Sequence, residues 1–292
     1  MTATTGSLEP VVLLGAGRAG RALAAAFRAA GVPHTLLDRV GIVEQHGPPV
    51  FMSRAEALAA SPVILVAVRD GQLDGALDGL RIGDAVPPGT VVLQVSGSAE
   101  PPARERLAGA GMHCGTFHPL LPLLDPALAS FRLQGSVIGV EGDARALEVA
   151  GLLAVRLGAT TILIPRGERA AYHAAAVIAS NFPVTLAALA EGVLARIGVD
   201  QAAAHRAVRA LMAASVENLA AAPRALDALT GPIARGDVAT VRAHTTALHG
   251  VPPQDAVYEV LSRATLALLR ERGDAPAAVA ALEAALEGDG LR

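Results

Sequence analysis

Residues 10–20, Pro10-Val11-Val12-Leu13-Leu14-Gly15-Ala16-Gly17-Arg18-Ala19-Gly20, commit the start of the chain to one local geometry. Four apolar residues run into G-x-G-x-x-G, and an Ala-rich segment with helical spacing continues through Ala30. The pattern is strand, tight turn, helix. Gly15 makes the turn, Gly17 leaves room for a pyrophosphate against the backbone, and Gly20 lets the helix pack close to the strand. Phosphates then meet the free N–H groups of Ala16, Arg18 and Ala19 at a helix start, where the dipole favours anions. Asp38 stands 18 residues past Gly20, at the end of Thr35-Leu36-Leu37. That is about the ~20-residue offset at which a carboxylate takes a ribose 2′-OH. Arg39 follows and could instead pair with a 2′-phosphate. Asp38 favours NAD(H), Arg39 and Arg54 favour NADP(H), and the balance tilts slightly to NAD(H).

The chain of 292 residues suits two domains and buries a core without staples. Its single cysteine, Cys114, excludes an intramolecular disulfide and a multi-cysteine zinc site. A net charge of -3 with both signs scattered leaves no nucleic-acid footprint, and two Tyr, five Phe and no Trp offer little for base stacking. Met1–Glu9 holds no basic residue and no long apolar run, so no signal peptide is read and a cytoplasmic protein is expected. All 24 basic residues are Arg. Without lysine, P-loop and Schiff-base chemistry are excluded, and proton transfer near neutral pH falls to His, Asp, Glu, Tyr or Cys.

Further strands are expected at about 34–38, 63–68, 90–95, 113–119, 136–140 and 161–164, with helices near 54–60, 100–109 and 143–157. Residues 39–52, with Gly47-Pro48-Pro49, read as irregular. The continuous run Val63–Val68 suits a parallel strand covered on both faces. Val68 at its end, Arg69 after it, and Ser96 after the next strand lie where ligands sit in open α/β sheets. They are candidate cofactor contacts. After Pro165 only helices fit, at about 167–196, 201–221, 234–248, 254–271 and 275–286. Two domains follow, 1–165 α/β with a parallel sheet and 166–292 all-α. Ala170–Ala190 carries no charge for 21 residues, long enough to span a bilayer. His173, Ser180, Asn181 and Pro183 within it favour a helix buried between domains or between subunits, kinked or broken at Pro183, and not a membrane span.

Three constellations carry candidate chemistry. Arg169 and His173 are four apart on one helix face, and Asn181 lies about two turns on, with Tyr172 offset. His118 ends a strand in Phe117-His118-Pro119. Thr230-Gly231-Pro232-Ile233-Ala234-Arg235-Gly236-Asp237 joins a turn, a helix start and a charge pair. Arg235 there can take a carboxylate bidentately. His173 is the first candidate proton donor and His118 the second. Asn181 joins them as a catalytic candidate that would also hold the substrate, and Arg169, Arg235, Thr230 and Asp237 are candidate substrate contacts. His34, His46, His205 and His249 show no partner pattern. Cys114 reads as a core residue, no spacing suggests a metal, and Gly-x-Ser-x-Gly is absent.

Together Gly15–Gly20, Val66–Asp70, Val95–Gly97, Phe117–Leu120, Tyr172–Asn181 and Thr230–Val238 resemble the Rossmann-like plus DUF2520 oxidoreductases. These are relatives of pyrroline-5-carboxylate reductase, ketopantoate reductase and the 6-phosphogluconate dehydrogenase superfamily. The resemblance implies an NAD(P)-dependent reductase with a dimerising helical domain. Its small substrate would be carboxylate-bearing, with a carbonyl or imine carbon; ketopantoate is one candidate. In the superfamily a Lys opens the first interdomain helix and an Asn follows four residues on. Here Arg169 and His173 stand there, and Leu121 stands where the family usually has Gln. The alternative is a non-catalytic NAD(P)-binding sensor or regulatory dimer, which loss of that Lys would suit.

Overall fold

The computed structural model describes residues 10–82, 86–122, 126–273 and 277–287. Met1–Glu9 and the start of the helix expected at 275 lie outside the described residues. The chain divides into two compact units, Met1–Ser180 and Asn181–Arg292.

The first unit opens with β1 (Val11–Leu14), α1 (Arg18–Ala29), β2 (His34–Leu37), β3 (Ile42–His46), α2 (Arg54–Ala60) and β4 (Val63–Val66). It continues with α3 (Asp70–Ile82), β5 (Val91–Gln94), α4 (Ala103–Gly109), β6 (His113–Pro119) and α5 (Ala129–Leu133). Then come β7 (Val137–Gly142), α6 (Ala144–Arg156) and β8 (Thr160–Leu163). The eight strands form one sheet in the order β3-β2-β1-β4-β5-β6-β7-β8. Alternate residues of β1 feed two cores. Val11 and Leu13 pack with α1, α5 and α6, and Val12 and Leu14 with α2, α3 and α4. Both faces are covered, which is why β1, β2, β4 and β5 are buried along their length and β1 and β4 are wholly apolar.

The sheet is not wholly parallel. β3 runs antiparallel to β2, and β7 antiparallel to β6. β3 arises inside the stretch read as irregular. Only Ile42 and Val43 are apolar there, and the strand is held by polar pairs: Glu44 meets Arg28, and His34 Nε2 lies 3.4 Å from Glu44 Oε1. His34 is therefore a buried, partnered residue and not an ordinary one. The sequence reading also missed α3. Its Leu73, Leu77 and Leu80 are buried at helical spacing, but Gly71, Gly75 and Gly79 mask the pattern.

α7 (Arg169–Arg196) begins in the first unit and ends in the second, and it continues through Pro183 without a break. Its only buried residue is Arg169. Ile178, Phe182 and Val184 are exposed within one chain, so of the two expected ways of burying this helix the single chain supplies neither by itself. The second unit continues with α8 (Gln201–Ala221), α9 (Pro232–Arg235), α10 (Val238–Leu248), α11 (Gln254–Arg272) and α12 (Val279–Glu287). The helix expected at 234–248 is two pieces, because Gly236 takes the left-handed conformation at φ 74° and Asp237 caps a new start. Ile233, Val241, Leu266, Leu269, Leu282 and Leu286 form this unit's core.

Candidate active site

The β1–α1 turn has the backbone its glycines require. Gly15 sits at φ +119°, and a Cβ there would lie 2.6 Å from Ala67 O. A Cβ on Gly20 would lie 1.8 Å from Gly15 O. Around Gly17 there is nothing within 4 Å of a Cβ position. No side chain caps α1, so its first-turn N–H groups stay open to a ligand. These groups border a cavity of about 1170 Å³ lined by Gly15, Ala16, Gly17, Arg18, Ala19, Asp38, Arg39, Val68 and Arg69. Gly20 lies behind the turn. Ser96 is not among the lining residues, and its hydroxyl accepts the Ala99 N–H at 3.0 Å.

The same cavity is lined by Arg21, Arg54 and the Gln72, Gly75, Ala76 and Gly79 face of α3. Arg18, Arg21, Arg39, Arg54 and Arg69 thus surround a single carboxylate, Asp38. Asp38 Oδ1 accepts the N–H groups of Val40 at 2.7 Å and Gly41 at 2.9 Å. Those bonds hold its carboxyl below the usual range and occupy one of its two oxygens. Uncapped donors, open space at Gly17 and surplus positive charge fit a dinucleotide with its phosphates.

A second cluster forms where β6 ends. His118 Nδ1 lies 2.9 Å from the Tyr172 hydroxyl, with the rings edge-on at 5.6 Å. The His173 ring centre is 6.0 Å from that of His118, and His173 Nδ1 is buried with no hydrogen-bond partner among the described residues. Two glycines make room. A Cβ on Gly97 would lie 2.6 Å from His118 Cε1, and one on Gly139 would lie 2.1 Å from the Tyr172 hydroxyl oxygen. Burial, assisted by His173, pushes His118 down to about 4, against a smaller upward pull from Asp70. Burial pushes Tyr172 up to about 12. Both groups are neutral near pH 7. The sequence placed His118 and His173 as candidates, and the fold brings them together. Tyr172 was passed over as offset, although its neighbour was already singled out.

Arg169 does not do what was expected of it. Its side chain is 1% exposed and its nitrogens are committed inside the protein. Nε binds Glu141, one terminal nitrogen binds Thr116 Oγ1, and the other donates to Ala99 O at 2.6 Å. Arg104 holds the other oxygen of Glu141 at 3.1 Å. Burial alone would raise Glu141, but the Arg169 and Arg104 charges bring its carboxyl below the ordinary value. Arg169 is a buried cation with each of its three nitrogens already engaged inside the protein.

Asp237 is likewise a cap. Its carboxylate accepts the Thr240 N–H at 3.0 Å and the Thr240 hydroxyl at 2.7 Å. Thr230, Arg235 and Asn181 are exposed residues of the second unit. Cys114 is buried and its thiol is pushed up to about 11 by burial, in keeping with a core residue. Among the described residues, no group of His, Cys, Asp and Glu could hold a metal.

Sheet order, glycine turn and cavity define a Rossmann-like protein with a helical C-terminal region. Residues 136–265 match a family model described as a domain of unknown function, DUF2520, bearing out the resemblance over that stretch. None of the curated proteins matches the sequence. Among solved structures, protein TM1727 from Thermotoga maritima is 23% identical with a TM-score of 0.66, covering 90% of this chain and 99% of that one. A reductive aminase from Aspergillus terreus, solved with NADPH and ethyl levulinate, is 17% identical with a TM-score of 0.61, covering 94% and 99%. An imine reductase from Streptomyces aurantiacus is 18% identical with a TM-score of 0.59, covering 94% and 98%. The fold is therefore shared along nearly the whole chain.

Proposed function

We propose that the protein is an NAD(P)H-dependent reductase of a carbonyl or imine carbon in a small, carboxylate-bearing molecule. The observation that carries this reading is the uncapped start of α1, with open space at Gly17, inside an arginine-rimmed cavity. The likeness in fold to a reductive aminase and an imine reductase supports the reaction class. When bound, the dihydronicotinamide supplies a hydride to carbon. The chain's own residues hold the phosphates at the α1 start and place His118, Tyr172 and His173 at the end of β6. As hydride reaches carbon, the electron pair moves to oxygen or nitrogen, which needs a donor. His173, with an unpartnered buried Nδ1, and His118 are the candidates.

NADP(H) is the better-suited cofactor. Five arginines face one carboxylate that already caps its own turn, so a 2′-phosphate meets net attraction. This reverses the slight preference for NAD(H) drawn from Asp38 alone.

The working form in this reading is a homodimer. α7 is 28 residues long, and its most apolar 18-residue window has a mean hydropathy of 1.6 with none of it buried in one chain. That length and composition would also suit a membrane span. Leu211, Val216 and Leu219 of α8 are exposed as well. A second copy would cover both helices.

The test is a panel of 2-oxo acids, cyclic imines and ketone–amine pairs with NADPH or NADH, followed at the nicotinamide absorbance. Turnover is expected. Tight cofactor binding with no turnover across the panel would overturn the reductase reading in favour of a sensor. Light scattering should give twice the monomer mass, and a monomer at micromolar concentration would refute the dimer.

A further inference from the structure

We propose that Tyr172 is a positioning residue that fixes the ring and tautomer of His118, so that a neutral imidazole presents its Nε2–H to the reacting oxygen or nitrogen. The inference rests on the reductase reading for its chemical purpose, but its geometry stands apart from it.

The pairing is built from both sides. His118 and Gly139 are directly opposite in the β6–β7 register. The missing side chain at Gly139 leaves the space that the Tyr172 hydroxyl fills, and the missing side chain at Gly97 leaves the space for the imidazole. A single methyl group at either position would collide with the pair. Tyr172 therefore reaches His118 Nδ1 at 2.9 Å in space that the two glycines leave free.

The proposed bond has a definite direction. Burial keeps the phenol protonated and the imidazole neutral. In the proposed pairing the phenol O–H donates to His118 Nδ1 at 2.9 Å, and a neutral imidazole that accepts at Nδ1 carries its proton on Nε2. The charged and titratable groups facing His118 are His173, Asp70 and Arg169. His173 and Arg169 disfavour an imidazolium and Asp70 favours it, with burial deciding the outcome. A neutral N–H donor stabilises negative charge as it develops on the substrate heteroatom, without first having to be protonated.

The experiment is nitrogen-15 NMR of the full-length protein with labelled histidine, in wild type, Tyr172→Phe and His118→Gln for assignment. Wild type should show His118 as one tautomer, protonated on Nε2, with no imidazolium signal down to about pH 5, given its value of about 4. Tyr172→Phe should give mixed tautomers and, on any substrate found, lower kcat on the order of tenfold with little change in KM. NADPH affinity, held elsewhere, reports that the variant is folded. A wild-type proton on Nδ1, or unchanged His118 nitrogen shifts in folded Tyr172→Phe, would overturn the proposal. If the shifts behave as expected but no substrate turns over, the positioning stands and the reductase reading fails.

Discussion

Replacing Arg169 by alanine should cost the folded protein about 3 to 4 kcal/mol, because it strands a buried carboxylate. Glu141 would keep Arg104 at 3.1 Å, which puts the loss near the lower end of the ~3–5 kcal/mol typical of a broken buried pair. Thr116 Oγ1 would lose its donor in a fully buried site, adding about 1 kcal/mol at most. Ala99 O would still accept Gln94 Nε2 at 2.6 Å and adds little. Urea titrations of the full chain, followed by circular dichroism, measure the change. The double variant Arg169→Met with Glu141→Leu removes the stranded charge and should recover most of the loss. The pH dependence has a definite sign. Glu141 is depressed in the wild type, so its contribution is present above the ordinary 4.5 and is lost as pH falls through the lower folded value. In Arg169→Ala a main charge partner of Glu141 is gone, and the deficit should shrink on acidification as Glu141 becomes neutral. A loss under about 1 kcal/mol, or a double variant no better than the single, would refute the reasoning.

Gly17→Ala should leave the melting temperature unchanged, since its Cβ meets nothing within 4 Å, yet weaken NADPH binding about tenfold or more by fluorescence titration. Gly20→Ala should instead destabilise the fold, because its Cβ would lie 1.8 Å from Gly15 O. Arg39→Ser should weaken NADPH more than NADH, narrowing an expected preference of about tenfold; equal loss for both would show that Arg39 does not meet the 2′-phosphate. His173→Ala should lower kcat by ~10²-fold with cofactor affinity nearly unchanged, and His173→Asn, which keeps a hydrogen-bonding group without a titrating imidazole, tells an orienting hydrogen bond from proton donation. Full activity in His173→Ala would make it a packing residue.

The doubly wound half was legible because its strands are buried on both faces and its first turn is spelled out in glycine. Val11–Leu14 and Val63–Val66 carry no polar interruption, so a short window suffices to place them. β3 was not legible, because its stability lies in Glu44 reaching Arg28 and His34, which are distant in sequence. The direction of β7 was hidden for a related reason: pairing with β6 is a tertiary choice that the run Val137–Val140 does not encode. In the site, His118 and His173 were visible as polar residues in apolar surroundings. The role of Arg169 was not, since its partner Glu141 sits 28 positions earlier, on β7. Gly97 and Gly139 could be understood only once the rings beside them were placed.

Cys114 lies buried on β6 with its thiol pushed up to about 11, so almost none of it is thiolate at neutral pH. The chain also contains no lysine. Maleimides should therefore find no reactive thiol in the folded protein, and amine-directed reagents no side-chain target. A cysteine introduced at exposed Arg235 would be the one fast-labelling position on the molecule. A dye or spin label placed there would report on the second unit without first removing any native residue elsewhere.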